Sequence, residues 1–366
     1  MEPLEFSVPY NGDPEILPEL FALKSLGNNS IREVYLSGPQ EYFGSGRIMP
    51  ETSLDEFTEI IGKIHNEGIR VNLLLNSTCE GSEWYSQKTV DSIMEYLKYA
   101  HEKLGVESVT IANPLYIIKV KTRFPDMEIC ASVLGDIDCV QRAVLYKKAG
   151  ADVITPDINI NRDLNLLKEI KEVTGAELKL MVNEGCLYKC PFRKFHFNAT
   201  SHASKEVSEV GLDVSLADFF GYCNQVISED HSQILKSCWI RPEDTRKYGE
   251  ITNFFKIVGR TYVKSRVTRA TKAYLEEGLD GDLLDILCAS IGRFSLNYGA
   301  YLYNKALEEY KFFEKVNSCG HRCSQCSYCE DIANELIGLG VYTAEKAEDM
   351  FPLYAAEESG EKGKPF

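Results

Sequence analysis

Residues 127–158 read MEICASVLGDIDCVQRAVLYKKAGADVITPDI. Two short apolar runs, MEICASV from Met127 and DVITPDI from Asp152, flank DIDCVQRAVLYKKAG, which ends on Gly150. Glycine is the usual residue just past a helix, because it enters the left-handed region at no steric cost. Runs that are apolar at nearly every position, not at alternate ones, suit strands buried on both faces, the condition of a parallel sheet. The stretch therefore reads as a β-α-β unit.

The same unit extends in both directions. EFSVPY from Glu5, REVYLSG from Arg32, RVNLLLNS from Arg70 and VESVTIAN from Val106 precede it, and LKLMVN from Leu178 and FFKIVGR from Phe254 follow it. LDEFTEIIGKIHNEG and VDSIMEYLKYAHEKLG lie between strands and end on Gly68 and Gly105. Eight strands alternating with helices predict an α/β fold, a (β/α)8 TIM-type barrel. The first seven strands start 21 to 38 residues apart and the eighth 76 residues after the seventh. The excess is an insertion at the C-terminal end of strand seven, the end of a barrel that carries chemistry. The expected organisation is a barrel over residues 1–264, with the insertion at 184–252, and a helical C-terminal extension over 265–366. In that extension Ser265 to Leu279, Asp282 to Tyr310 and Glu330 to Leu339 read as helices around a cysteine-rich loop at 319–329.

Composition narrows the function classes. The 366 residues carry a formal net charge of −15, which gives no general attraction to nucleic acid or anionic lipid. No apolar run reaches the roughly 18 residues that span a bilayer, and MEPLEFSVPY lacks the charged and apolar regions of a signal peptide. A cytoplasmic protein is expected. In a reducing compartment its twelve cysteines read as free thiols or metal ligands before disulfides.

Strand seven runs into NEGCLYKCPFRKFH, Asn183 to His196. The insertion then supplies Cys223 in GYCNQ and Cys238 in SCWIRPED. Cys186, Cys190, Cys223 and Cys238 thus place four thiols in one loop system, which on count alone suits a 4Fe–4S cluster or zinc. His196, His202 and His231 are reserve ligands. Glu184 and Arg241 flank the cysteines; Glu184 is the candidate catalytic residue and Arg241 a candidate substrate contact. Lys256 and Arg260 sit inside an apolar run where a charge needs a partner, and with Arg266 and Arg269 they are placed to hold an anion. No Gly-x-Ser-x-Gly elbow or His-Glu-x-x-His pair is present.

These motifs carry a resemblance. NEGCLYKCPFRKFH after a late barrel strand, SCWIRPED, and FKIVGRTYVKSRVTRA from Phe255 resemble the collagenase-like proteases, peptidase family U32. In that family a Lys-Ile-x-Gly-Arg run follows a Cys-bearing Arg-Pro-Glu-Asp segment. The resemblance implies a barrel and a 4Fe–4S cluster on Cys186, Cys190, Cys223 and Cys238. It also implies an oxygen-independent hydroxylase or related redox enzyme acting on an anionic or aromatic small molecule or a nucleobase, with an electron donor. Two other readings stay open: a non-catalytic iron–sulfur protein that assembles with a paralogous barrel, and a metal- or cluster-dependent hydrolase, as the family name says.

Cys319, Cys323, Cys326 and Cys329 fall within eleven residues. Cys-x3-Cys-x2-Cys is the radical-SAM spelling, but that motif follows the first barrel strand and this one follows the last. The spacing suits a second iron–sulfur cluster or zinc, with His321 as a spare ligand.

Overall fold

The computed structural model describes residues 2–204, 216–288 and 300–339. Eight parallel strands close into a barrel: β1 Glu5–Pro9, β2 Asn29–Ser37, β3 Arg70–Leu75, β4 Ser108–Ile111, β5 Glu128–Ala131, β6 Val153–Ile154, β7 Glu177–Met181 and β8 Phe254–Lys256. Each pairs with the next in sequence, and β8 returns to β1 through Glu5↔Phe254 and Ser7↔Lys256. Six of the eight strands lie within the runs read from the sequence, while β2 begins at Asn29, before Arg32, and β7 at Glu177, before Leu178. Between Val153 and Ala149 the chain turns on Gly150, whose φ is +116° and where a Cβ would come within 2.8 Å of the Lys121 side chain.

The barrel interior is polar at mid-height. Lys179 of β7 donates to Glu33 of β2 at 2.7 Å, and Ser7 of β1 donates to the same carboxylate at 2.6 Å. Asn72 bonds Ser108, and Thr110 bonds Asn72. Cys130, Val153 and Phe254 form a small apolar cluster apart from the main core. At the N-terminal end Arg32 ties Glu5, Glu128 and Glu177 from three strands and lies 4.2 Å from the centre of the Phe254 ring. The C-terminal end is therefore the side from which the interior opens.

Helices cover the outside. Lys264–Leu275 follows β8 and packs on β1, with Tyr274 against Phe6 at 6.3 Å. That packing places the helix in the barrel's outer ring, so the expected boundary at residue 264 falls one helix early. The insertion contains helices Arg193–Ala203, Leu216–Glu229 and Ser232–Lys236 and a 3-10 segment, Pro242–Tyr248.

The extension docks on the end of the insertion. Trp239 stacks on Phe312 at 5.2 Å, and Tyr274 donates to the Ile240 carbonyl. One long helix from Asp282 is not what forms. Asp282 caps a 3-10 turn at Leu283–Asp285, and Ala300–Tyr301 pairs antiparallel with Gly338–Leu339. Residues 289–299 of that expected helix lie outside the described residues. The last expected helix is present as Tyr328–Leu336.

Candidate active site at the barrel mouth

Where the strands end, a cavity of about 130 Å³ is walled by Tyr35 of β2, Thr110 of β4, Met181 of β7 and Lys256 of β8. The loops after β7 and β8 add Glu184, Cys186, Cys190, Arg193 and Arg260. Cys223 comes from the insertion, Arg47 from the loop after β2 and Cys288 from the extension.

The Cys186–Cys190 loop owes its shape to local bonds. The amide of Cys190 donates to the Leu187 carbonyl, and Lys189 takes φ +51° while its amide donates to the Asn159 side chain. This turn presents both thiols inward. The Cys190 thiol hydrogen-bonds Cys223 and accepts backbone N–H bonds from Phe192 and Arg193 at the head of helix Arg193–Ala203, and its pKa falls to about 6. A thiolate is favoured there because the bonds and the helix end stabilise its charge. Burial, with Glu184 nearby, pushes the Cys186 thiol up to about 12.

Cys238 does not join these three at the cavity wall. It is buried on the far side of the loop, with its sulfur 3.6 Å from the Asn159 carbonyl and 3.9 Å from Nε2 of His321. The cause is the chain path: Ile240 donates to the Val182 carbonyl and Asn161 holds the Cys238 carbonyl, so the segment runs back along β7. The four-cysteine set is thus divided three and one. Among the described residues, no three His, Cys, Asp or Glu side chains already stand in metal-holding geometry.

The cations also sort. Lys256 lies 3.8 Å from the centre of the Tyr35 ring, and Arg260 donates to Ser37; both line the cavity. Arg241 does not. Its guanidinium is taken by Asp244 at 2.8 and 3.2 Å and by the Asn304 carbonyl, so it fastens the extension and does not contact a cavity ligand. Arg266 donates to the carbonyls of Leu284 and Leu287, and Arg269 pairs with Asp285. Glu184 is buried in the wall with Oε1 lacking a hydrogen-bond partner, and its backbone bridges Cys288.

Two arginines were not evident from the sequence. Arg47 and Arg193 both lie over the Phe197 ring, 4.4 and 5.0 Å from its centre. Arg193 is 8 % exposed, and Nε, Nη1 and Nη2 all lack hydrogen-bond partners. Five buried donors in a planar fork without an acceptor are costly unless an anion or water fills the site.

Burial, then repulsion from Lys179, lowers the Lys256 pKa to about 7. Its ammonium form is therefore penalised in the folded state below its ordinary value of 10.5, and fully so below about 7. Lys256→Met should make the protein more stable at pH 6 and leave it unchanged above pH 10.5. The same variant should lose the fall in anion affinity that the wild type shows as pH rises through about 7, with only the Cys190 step near 6 remaining. Urea titrations and anion binding across that pH range check both signs.

The comparisons with known proteins agree with this architecture. The family model of peptidase family U32 matches residues 19–188. Over those residues the chain is similar to that family. Uncharacterized protease MJ1657 of Methanocaldococcus jannaschii is 29 % identical over 343 residues, covering 91 % of this chain and 98 % of that one. Among solved structures, the U32 peptidase Mk0906 superposes with a TM-score of 0.52 at 20 % identity, over 70 % of this chain and 92 % of its own. That likeness concerns the fold. The family match ends between the first two mouth cysteines, so Cys190, Cys223, Lys256 and Arg260 lie beyond it. No described helix is long and apolar enough to cross a membrane.

Proposed function

We propose that this protein is an iron–sulfur enzyme that binds a small anionic, single-ring substrate at the barrel mouth and modifies it by oxygen-independent redox chemistry, of the hydroxylase type. The observation that carries the reading is the Arg193 guanidinium, buried without an acceptor in a cavity that four thiols, Cys186, Cys190, Cys223 and Cys288, also line.

The volume supports a small substrate. A cavity of about 150 Å³ holds one benzene ring, so about 130 Å³ suits an aromatic acid or one base better than a peptide. Cys186, Cys190 and Cys223 would hold the cluster, and their cation-rich wall of Arg47 and Arg193 suits an anionic group. Bound there, a cluster supplies electrons to the substrate or accepts them. Arg193 and Arg260 orient the substrate's anionic end, Phe197 and Tyr35 exclude water, and Lys256, with its pKa near neutrality, can give or take a proton at Nζ.

A second reading rests on Cys190 alone. A thiolate at a helix start is a competent nucleophile, and it would serve a hydrolase without any cluster.

Anaerobic reconstitution with iron and sulfide separates the two. About four irons per chain and a thiolate-to-iron absorption band are expected, both lost in Cys190→Ser and in Cys223→Ser. A protein that takes up no iron yet forms an acyl-enzyme on Cys190 would overturn the redox reading.

A further inference from the structure

The cysteine that the barrel mouth leaves out has another neighbour. Cys238 is 2 % exposed, and its sulfur lies 3.9 Å from Nε2 of His321 in the C-terminal loop. The His321 ring lies flat on Tyr188, with centroids 4.0 Å apart and planes within 4°. Holding it there goes with left-handed backbone at Gly320 (φ +61°) and at His321 itself (φ +52°), a conformation uncommon for non-glycine residues. The other candidate thiols, Cys319, Cys323 and Cys329, lie within eight residues of His321 in the chain.

We propose that Cys238, Cys319, His321 and one of Cys323 and Cys329 form a tetrahedral zinc site that clamps the C-terminal loop onto the insertion after β7. Zinc–sulfur bonds of about 2.3 Å and zinc–nitrogen bonds of about 2.0–2.1 Å at a tetrahedral angle place the two ligand atoms roughly 3.5 Å apart. The observed 3.9 Å between Cys238 and His321 is within a few tenths of that spacing. A neutral imidazole and thiols are the donor set of Cys3His structural zinc sites. The ring is already aimed by the Tyr188 stack, which does the work of an outer partner in fixing ligand orientation. The remaining movement falls to the loop, where Cys323 is exposed and Cys319 half-buried. Zinc is favoured over a second iron–sulfur cluster because one ligand is an imidazole.

This site differs from a centre made by the four loop thiols alone. It draws one ligand from the barrel insertion and leaves out the exposed Cys326. It also reaches the mouth, since Tyr188 stands between Cys186 and Cys190 in the chain. The inference is independent of the redox reading of the mouth.

The test uses the full chain carrying Cys186→Ser, Cys190→Ser and Cys223→Ser, so that the three candidate cluster ligands contribute nothing. The protein is stripped with a chelator under reducing conditions and titrated with Co²⁺ and then Zn²⁺. About one Co²⁺ should bind with the intense visible bands of a tetrahedral thiolate site and be displaced by Zn²⁺. His321→Ala should weaken zinc binding by roughly 100-fold, at the upper end of the losses known for mere outer-partner changes, and should remove the tetrahedral spectrum. Cys238→Ser should do the same, while Cys326→Ser should change neither. His321 is half-buried, so its variant tests the site even if Cys238→Ser fails to fold. No Co²⁺ bound by the parent, or full-affinity binding retained in His321→Ala, would overturn the proposal. Loss of binding in Cys326→Ser equal to that in His321→Ala would also overturn it, in favour of the loop quartet.

Discussion

Lys179→Met should lower the free energy of unfolding by about 3–5 kcal/mol, the cost of stranding one member of a buried ion pair. Lys179 and Glu33 are 1 % and 0 % exposed along their side chains and meet at 2.7 Å. The variant leaves the Glu33 carboxylate with the Ser7 and Ser108 hydroxyls and no cation bonded to it. Burial then dominates, and the carboxyl must take up a proton to stay inside. In the wild type burial acts to raise the Glu33 pKa, but the charge and hydrogen bond of Lys179, with the Ser7 bond and the Lys256 charge, together hold it below its ordinary value of 4.5. Its contribution to stability is thus present above about pH 4.5 and is lost as pH falls through the lowered folded value. In the variant the sign reverses: the deficit shrinks as pH falls toward 5, because the raised carboxyl is neutralised. Glu33→Leu with Lys179→Met should recover most of the loss, since apolar replacement of a buried pair is often neutral or better. Urea unfolding at pH 5 and 7.5 measures all three proteins. A single variant that costs under 1 kcal/mol would mean that water reaches the pair.

The second large effect is on binding. Arg193→Met should weaken the affinity of an aromatic carboxylate such as benzoate by roughly 10- to 150-fold, the equivalent of the 1.5–3 kcal/mol of a hydrogen bond to a charged group. Binding is read as the rise in unfolding midpoint with ligand concentration. The ligand-free variant should be no less stable than the wild type, because no hydrogen bond to Nε, Nη1 or Nη2 is lost and the methionine still covers Phe197. Equal benzoate affinity in both proteins would remove Arg193 from the anion site and, with it, the main support for the small-anion reading.

What the sequence disclosed follows from what repeats in it. The strands were legible because each is an apolar run of four to eight residues bounded by turns, and eight such runs constrain one another. Lys256 and Arg260 were legible as charges inside such a run. Arg193 was not, because a charged residue in the first turn of a helix is ordinarily solvated. Its burial comes from the insertion folding over the mouth, and chain order carries no sign of that. Cys238 was assigned by proximity in the chain to Cys223. Its true neighbour, His321, is 83 residues away, and such a pairing leaves no local trace. The helix expected from Asp282 failed for a different reason. The Asp282 carboxylate accepts the amides of Leu284 and Leu302, so a side chain competes with the helical ladder at its start.

The bridge between Glu184 and Cys288, with Gly185 donating to the Cys288 carbonyl and Cys288 to that of Asn183, bears on the order in which the molecule is assembled. All eight strands have been synthesised once Lys256 emerges from the ribosome, yet the mouth loop is not fastened until residue 288, and its Trp239–Arg241 end waits for Asn304 and Phe312. A growing chain therefore passes through a stage in which the barrel can close while Cys186 and Cys190 still lie on an untethered segment. For the cluster proposed above, that interval is the stage at which these two ligands stand most open to solvent.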